Sequence, residues 1–402
     1  MSEKIVRVPH DKDRNYDEDF VAERRKWLEQ ITETKLHHVS KYSISSKDVK
    51  GNIENFVGVA QVPVGVVGPL KINGEHAQGT FYVPIATTEG ALVATYQRGA
   101  VAITKSGGAN AMITSDENYL DPVFILKNME EVKNFTRWAV DHFDLLREKV
   151  KEATQHGVLF RLTPFVMGRR VVLKFSYFTH DAMGANMINI ATDRICKFIS
   201  EQFTVERYLL RSNLSSEKKA AGVNLVVNYG KEVHVEAVLP RKIVVRHLNS
   251  SPEEIGSAWH TWALGGIHAG MLGCNAQFAN GLAGMYIACG QDVAHITNAS
   301  VGLNMLETTK NGDLYAALKL PNILVGTVGG GTALGTQREC LEMIGCYGKD
   351  KSKKFAEIVA ATLLAGEIGI CAGITSDEFL EPHIRASIYT KEKAYQEQTP
   401  KV

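Results

Sequence analysis

The sequence predicts a protein of the mixed α/β (α+β) class with more than one domain. Its 402 residues are 45% hydrophobic and 22% charged, a composition typical of globular chains that bury two or three separate cores. Short β-branched segments punctuated by glycine and proline alternate with longer segments that have helical hydrophobic spacing. The pattern changes at several points without any repeat or low-complexity linker, so the domain borders are expected at those changes.

The first part of the chain is charge-rich and then becomes strand-like. Apolar residues near one face predict a helix over residues 20–31. The following stretch, VGVAQVPVGVVGPLKING, predicts short strands and tight turns. After it, Thr87 or Thr88 is expected to cap a helix with Glu89 in its first turn, where the helix dipole favours an anion.

Residues 123–210 have the pattern of a separate α+β unit. VFIL predicts a strand and residues 129–146 a helix, while RRVVLKFSYF predicts a second strand and residues 187–208 a second helix.

The remainder begins with strands and is then dominated by helices rich in small residues. AGVNLVVNYG and EVHVEAVLP predict two strands joined by a hairpin turn at Gly230 and Lys231. Seven glycines within residues 263–290 indicate close contacts between helices. Apolar residues at helical spacing over residues 355–371 predict a buried helix.

Composition excludes several classes of protein. The net charge is +1, which gives no basis for a nucleic-acid or anionic-membrane partner. Uninterrupted apolar stretches such as residues 282–289 fall short of the roughly 20 residues that a membrane helix needs, and the charged N-terminus lacks the apolar core of a secretory signal. We therefore expect a cytoplasmic protein. The six cysteines show no CxxC spacing, so buried reduced thiols are expected rather than a metal site.

Four residues could carry chemistry, although each also has an ordinary structural explanation. Glu89 could simply occupy a first helical turn, and Lys218 with its neighbour Lys219 could form a solvated turn. Asp292 follows a glycine and could cap the next segment. His383 would be exposed in most proteins with such a charged tail, but histidine is the commonest proton donor near neutral pH.

A glycine-rich loop, GTVGGGT at residues 326–332, follows a strand-like segment. Backbone N–H groups in such a loop can bind phosphate or let a ligand approach closely. The loop is neither the GxGxxG dinucleotide fingerprint nor a GxxxxGK[ST] motif, so a tight structural turn explains it equally well.

Several motifs in one order resemble a single family. From residue 54 these are ENFVG, QVPVGVVGPL, ATTEG, HDAMGANM, EKKAAGVN, GQD and GTVGGGT, followed by a late histidine. From about residue 50 to residue 388, the chain resembles the 3-hydroxy-3-methylglutaryl-CoA reductases. The double lysine before AAGVN is similar to the class that includes the eukaryotic enzymes.

The resemblance implies an architecture and an activity. It implies a short helical N-terminal region (1–50), a large acyl-CoA-binding catalytic domain around a central helix (51–122 and 213–402), and an inserted, small ferredoxin-like NAD(P)-binding domain (123–212). The implied reaction is the NAD(P)H-dependent four-electron reduction of 3-hydroxy-3-methylglutaryl-CoA to mevalonate and CoA, in isoprenoid biosynthesis. Sites in this family form between subunits, so a homodimer or homotetramer is expected.

The resemblance also assigns residues by motif position, except for Arg211, which departs from the family's residue and is a candidate substrate contact. The implied catalytic residues are Glu89, Lys218, Asp292 and His383. The nicotinamide cofactor, with NADPH preferred to NADH, is expected at Asp181, Met183, Gly184, Asn186 and Met187 and at Gly326, Thr327, Val328, Gly329 and Gly330. The substrate with its CoA part is expected at Glu54, Asn55, Arg98, Arg211, Lys219 and Asn280.

The implied chemistry gives each catalytic residue a role. Lys218 is expected to stabilise the negative charge that develops on the carbonyl oxygen, while Asp292 keeps this lysine charged and oriented. His383 would protonate the departing CoA thiolate. Glu89 would give a proton to the aldehyde oxygen if burial and the nearby Asp292 raise its pKa.

Departures from the family pattern cluster on substrate contacts. Leu120 lies at or near the position of an arginine that binds the substrate carboxylate, and Arg211 is a candidate to replace that charge. Gln277 stands where HxxN has its histidine, and His260 stands where a lysine is expected. Reduction of another acyl thioester and an inactive binding paralogue are therefore the alternatives, although the paralogue would be expected to lose one of the catalytic residues. The stretch that selects the 2′-phosphate of NADPH is not evident around residues 155–161.

Overall fold

The computed structural model describes residues 8–154, 157–376 and 384. Helices in this part of the chain are α1 (Glu18–Thr32), α2 (Leu92–Lys105), α3 (Met129–Asp141), α4 (Phe143–Ala153), α5 (Ala185–Gln202), α6 (Arg241–Leu248), α7 (Pro252–Ala269), α8 (Phe278–Ala288), α9 (Ile296–Ala299), α10 (Gly335–Met343) and α11 (Ser352–Thr375). The strands are β1 (Val64–Gly74), β2 (Gln78–Ala86), β3 (Ala109–Leu120), β4 (Val123–Ile125), β5 (Val158–Met167), β6 (Arg170–Phe178), β7 (Arg207–Leu209), β8 (Gly230–Leu239), β9 (Leu303–Thr308) and β10 (Leu314–Ile323). This mixture confirms the predicted fold class.

Helix α11 lies at the centre of the largest hydrophobic core and packs against α2, α7, α8 and the neighbouring strands. By length and composition it is the one described helix that could cross a membrane, but 83% of its most apolar window is buried inside the protein. The sequence predicted a buried helix over residues 355–371, and only its length and mean hydropathy were not anticipated, because Glu357 and Glu367 interrupt the apolar sequence. Its burial is that of a core helix.

Glycines allow α2 and α11 to approach within backbone contact. A Cβ atom added to Gly99 would lie 1.9 Å from the carbonyl oxygen of Ala365, and one added to Gly369 would lie 2.1 Å from that of Thr95. Larger side chains at these two positions would force the helices apart.

Strand β3 connects two parts of one mixed sheet. Its first residues pair antiparallel with β8, which continues through β10 to β9, and β1 and β2 join this side. Its last residues, 118–120, pair with β6, which also pairs with β4 and β5, and β7 pairs with β4. The strand therefore runs from the main core into the segment predicted as an inserted domain.

That segment has a hydrophobic core of its own. The buried residues of this cluster all fall between Phe124 and Ile199, and α3, α4 and α5 supply much of it. A core separate from that of α11 supports a domain border near residue 123, and the exact domain limits stay a prediction.

Predictions of individual helices and strands were correct where hydrophobic spacing was regular. Several predicted helix ends were wrong. Helix α2 begins at Leu92, after Ala91 with a φ of +71°, and no side chain caps it, so neither Thr87 nor Thr88 is its cap. The helix predicted over 129–146 is divided at His142. The one predicted over 187–208 ends at Gln202, and its last residues belong to β7.

The hairpin predicted at Gly230 and Lys231 does not exist. Both residues lie inside β8, and the preceding segment contains only a 3-10 turn at Gly222–Leu225. The reason is polar: the buried side chain of Asn224 accepts a hydrogen bond from the Ala221 N–H and donates one to Ser216 Oγ. A turn stabilised in this way competes with strand pairing.

All six cysteines are in the described residues, and none forms a disulfide. Five are buried and Cys274 is half-buried. Burial raises the pKa of the Cys346 thiol to about 12, which is consistent with the expected unreactive thiols.

Candidate active site

Two of the predicted catalytic residues form an ion pair. Lys218 Nζ lies 2.6 Å from Asp292 Oδ2, and both side chains remain partly exposed to solvent. Lys218 lies in a loop with a φ of +59°, whereas Asp292 precedes a 3-10 turn and accepts a hydrogen bond from the Ala294 N–H. The carboxylate is therefore held by backbone, and the lysine approaches it from a separate segment.

Opposing effects act on the pKa of the Asp292 carboxyl. Partial burial raises it, but the hydrogen bonds from Lys218 and from the Ala294 N–H outweigh burial and hold the pKa below its usual range. Asp292 is therefore a carboxylate at neutral pH and keeps a positive charge beside it, as the predicted roles require.

A fully buried histidine, which the sequence reasoning missed, lies behind this pair. His295 Nε2 is 4.0 Å from Asp292 Oδ2 and 3.9 Å from Glu217 Oε1 and has no hydrogen-bond partner among the described residues. Its Nδ1 lies 3.2 Å from Asn298 Oδ1, and its ring stacks on Tyr229. Burial lowers the pKa of the imidazole, and the two carboxylates act against this effect. Nothing in the local sequence distinguished this histidine from a core residue.

Arg211 is not an unpaired substitute for the missing substrate-binding arginine. Its guanidinium forms an ion pair with Glu217 and donates a hydrogen bond to Asn189 Oδ1 at 3.0 Å. Lys219 Nζ donates to the Glu217 backbone carbonyl at 2.9 Å. Both cations thus organise the loop that carries Lys218.

Glu89 does not have the burial that was expected to raise its pKa. Its side chain is exposed, and its backbone N–H donates to Thr87 Oγ1 at 3.0 Å. Its assigned role therefore requires that another chain or the substrate cover it. His383 lies outside the described residues.

The two segments predicted to bind the cofactor lie against each other. The Thr327 N–H donates to the Asp181 carbonyl at 2.9 Å, and a Cβ added to Gly326 would lie 2.9 Å from the Met183 nitrogen. Gly184 precedes α5 with a φ of +81°, so this turn favours a glycine. The structure thus brings HDAMGANM and GTVGGGT together from positions more than 140 residues apart.

Gln291 joins this region to the ion pair. Its side-chain amide donates to the Gly326 carbonyl at 3.0 Å and accepts from the Gly326 N–H at 2.8 Å. Because Gln291 is adjacent to Asp292, two hydrogen bonds connect the predicted catalytic GQD motif to the glycine-rich loop. Their sequences contain no sign of this contact.

Asp181 has a structural role at the start of the central helix. Its carboxylate accepts hydrogen bonds from the backbone N–H groups of Asp350, Lys351 and Ser352. Burial raises the pKa of this carboxyl, but these bonds outweigh it and lower the pKa overall. Asp181 therefore orients the predicted cofactor segment rather than projecting freely from it.

The predicted CoA segment is fixed through its backbone. The fully buried Arg24 of α1 donates to the Phe56 carbonyl at 2.7 Å, and Arg25 donates to that of Val57 at 3.3 Å. Glu54 and Asn55, immediately before, are exposed. A cavity of about 790 Å³ lies beside this segment and extends to α10.

Arg98 is not among the residues that line that cavity. Its guanidinium donates to the Leu248 carbonyl at 2.5 Å and to Ser376 Oγ at 3.3 Å, between the ends of α6 and α11. The predicted CoA residues are therefore not gathered at one point of this single chain.

A buried acid of the central helix, Glu367, positions the helix that carries Asn280. Glu367 of α11 accepts hydrogen bonds from the Ala276 N–H at 2.9 Å, the Gln277 N–H at 2.8 Å and Asn304 Nδ2 at 2.5 Å. Burial raises the pKa of this carboxyl to about 7. The signal that could have revealed it is an acidic residue in the middle of an otherwise apolar helix.

The departures from the family pattern have different structural settings. Gln277 is buried and donates to the Gly366 carbonyl at 2.6 Å, so it binds the central helix. Leu120 is fully buried at the end of β3, whereas His260 is exposed on α7.

Comparison with known proteins gives one family. The sequence profile described as hydroxymethylglutaryl-coenzyme A reductase matches residues 20–387. The 3-hydroxy-3-methylglutaryl-coenzyme A reductase of Pyrococcus horikoshii is 44% identical over 369 residues, which cover 90% of this chain and 89% of the relative. That of Methanocaldococcus jannaschii is 38% identical over 384 residues, covering 93% and 95%.

A solved structure is similar in fold. The class II 3-hydroxy-3-methylglutaryl-CoA reductase from Streptococcus pneumoniae bound to NADPH superimposes with a TM-score of 0.68 at 18% identity. The match covers 88% of this chain and 96% of that one.

Proposed function

The chain belongs to the hydroxymethylglutaryl-coenzyme A reductase family, and we propose that it catalyses the NAD(P)H-dependent reduction of 3-hydroxy-3-methylglutaryl-CoA to mevalonate and CoA. The observation that carries this proposal is the 2.6 Å contact between Lys218 Nζ and Asp292 Oδ2. It joins Lys218 of the EKK motif and Asp292 of the GQD motif, which are 74 positions apart in sequence, into one charged pair that is partly exposed to solvent.

This pair suits the two carbonyl reductions that the reaction contains. Each hydride addition leaves negative charge on the former carbonyl oxygen, which an ammonium group stabilises in both steps. Lys218 is partly exposed, so it can turn from Asp292 toward a bound oxygen. Asp292 holds the lysine in an ion pair until then, because the low pKa of this carboxyl keeps it a carboxylate.

The residues assigned to the cofactor fit a dinucleotide. Gly329 and Gly330 have positive φ angles, are exposed and have open space where a Cβ would be. They lie in the loop that contacts Asp181 and Gln291, next to the ion pair. A nicotinamide cofactor would supply the hydride there, and NADPH is the proposed form because the structurally similar S. pneumoniae enzyme binds it.

A second copy of the chain would complete the site. Leu264, Ile267 and Met271 at the end of α7 are exposed by 57%, 76% and 48%, an apolar surface of the kind that subunit interfaces cover. Glu89 is also exposed in one chain, although its proposed role as a proton donor requires burial. We therefore propose a homodimer or homotetramer in which Glu89 and His383 act as proton donors. We also propose that the protein is cytoplasmic.

The direct test combines purified protein with 3-hydroxy-3-methylglutaryl-CoA and follows oxidation of NADPH and, separately, NADH. The Lys218→Ala variant should lower kcat by about 100- to 1,000-fold, as removal of an oxyanion donor does elsewhere. Lys197→Ala removes a surface lysine that pairs with Asp193 and is the matched control. Full activity of Lys218→Ala would overturn the assigned mechanism.

A reductase of another acyl-CoA is the second candidate, favoured by two observations. Leu120 is fully buried where the carboxylate-binding arginine is expected, and Arg211 is already paired with Glu217. Turnover of other acyl-CoA thioesters without turnover of 3-hydroxy-3-methylglutaryl-CoA would establish this alternative and reject the first.

A further inference from the structure

Besides Glu367, the central helix contains another buried acid, Glu357, which is not among the predicted site residues. Its Oε2 accepts hydrogen bonds from the His76 N–H at 2.9 Å and the Ala77 N–H at 2.6 Å. Its Oε1 is buried and has no hydrogen-bond partner among the described residues. A carboxylate in this position lacks half of the stabilisation that buried charges need.

The charged groups around Glu357 do not include a side-chain cation that pairs with it. Within the described part of the chain, no lysine or arginine forms an ion pair with this carboxylate, and the charged group that most affects it is His76. Burial raises the pKa of Glu357, as expected for an acid without a cationic partner. Either a proton or a bound cation must therefore balance it.

Two further metal-binding side chains come from the turn between β1 and β2. Glu75 and His76 are exposed at this turn, and their side chains lie close to Glu357. One ligand atom from each of the three residues lies within 4.8 Å of the other two. In a tetrahedral site with metal–ligand distances of about 2.1 Å, ligand atoms are about 3.4 Å apart. Only the two exposed side chains would need to move to reach that spacing.

We propose that Glu75, His76 and Glu357 bind a divalent transition-metal ion, Mn²⁺ or Zn²⁺. One imidazole and two carboxylates form a ligand set that both ions accept, with water completing the coordination. The ion would balance the buried charge of Glu357 and attach the β1–β2 turn to α11. Its role is structural, since none of the three residues is assigned to the reaction.

The position gives an ion a route from solvent. His76 also lines a cavity of about 260 Å³, together with Asp116, His180, Asp181 and Asp350. Three aspartates and one lysine, Lys353, line this cavity, and an excess of acidic groups favours entry of a cation. Asp181 at its wall uses its carboxylate for the start of α11, so a neighbouring ion would stabilise the same helix.

The test uses metal-free full-length protein and Mn²⁺ as the probe, because cysteine side chains such as that of Cys274 bind this ion poorly. Electron paramagnetic resonance and calorimetry should show one ion per chain, and thermal unfolding should occur at a higher temperature when Mn²⁺ is present. Zn²⁺ is then tested in competition. No assay of reductase activity is involved, so the result is independent of the proposed function.

Variants decide whether these residues hold the ion. Glu357→Gln should weaken Mn²⁺ binding by about 100-fold or more, the upper range found when groups that support metal ligands are lost. If that variant fails to fold, a double variant of the exposed residues, Glu75→Gln with His76→Gln, gives the same test. His37→Gln changes an exposed histidine elsewhere and should leave binding unchanged. Absence of binding in the unmodified chain, or equal binding in the variants, would mean that a proton balances Glu357 and would overturn the proposal.

Discussion

Glu367 should make the stability of this protein fall as the pH rises from acid to neutral. Its carboxyl is fully buried, and burial raises its pKa from 4.5 to about 7. In the unfolded chain the same group loses its proton near its ordinary pKa. Between these two values the unfolded state binds fewer protons than the folded state, so raising the pH favours unfolding.

The size of this effect follows from the shift. A difference of roughly 2.5 pKa units at 1.36 kcal/mol per unit gives about 3 kcal/mol. This contribution is fully present below pH 4.5, declines through the interval up to about pH 7, and is absent above it. Such a loss is a large part of the free energy of unfolding of a typical domain.

Glu367→Gln removes the titration while keeping the shape of the side chain. The amide has one acceptor oxygen, so either the Ala276 N–H or the Gln277 N–H loses its bond, at a cost of about 1–3 kcal/mol at every pH. The stability of the unmodified chain minus that of the variant should therefore fall by about 3 kcal/mol as the pH rises, enough to bring it to zero or reverse its sign.

Urea denaturation of both proteins at several pH values between 4.5 and 8 measures this difference. Comparison with the variant removes the contribution of the histidines, which titrate in both proteins. Glu148→Gln changes an exposed acid on α4 that pairs with Lys151, and its difference from the unmodified chain should show no such trend. A difference for Glu367→Gln that stays constant across this range would refute the assigned ionisation.

Three further substitutions test other parts of the structure. Glu117→Ala leaves the buried Lys174 without the carboxylate 2.9 Å away and should cost about 3–5 kcal/mol in urea denaturation, part of which Lys174→Met should restore. His295→Leu removes the buried polar ring 4.0 Å from Asp292 Oδ2 and should lower kcat about tenfold, or about 1.4 kcal/mol, with little change in KM, whereas His295→Gln keeps a polar group there and should keep most activity in steady-state assays. Gly99→Ala should reduce the free energy of unfolding by about 1–3 kcal/mol because its Cβ would collide with the Ala365 carbonyl, and an unchanged denaturation midpoint would contradict the close helix contact.

Regular hydrophobic spacing made parts of the fold predictable. The helix predicted over residues 20–31 and the strand RRVVLKFSYF are present as α1 and β6 because a continuous apolar face needs a partner surface whatever the remaining chain does. The wrong predictions concern segments whose ends are set by side chains and backbone angles. Asn224 holds a turn where strand spacing was read, and Ala91 with its positive φ delays the start of α2.

The sequence by itself determined the family, the mixed fold class and the residue types of the candidate site, because motif order and hydrophobic spacing are properties of the linear chain. Only the tertiary structure decided which of these residues meet: Lys218 with Asp292, Gln291 with the glycine-rich loop, and Asp181 with the start of α11. It also revealed that Arg211 is already paired and that Glu89 is exposed. Distances between segments 35 or more residues apart, and the burial that raises the pKa of Glu367, depend on how helices and strands pack, which local sequence patterns do not encode.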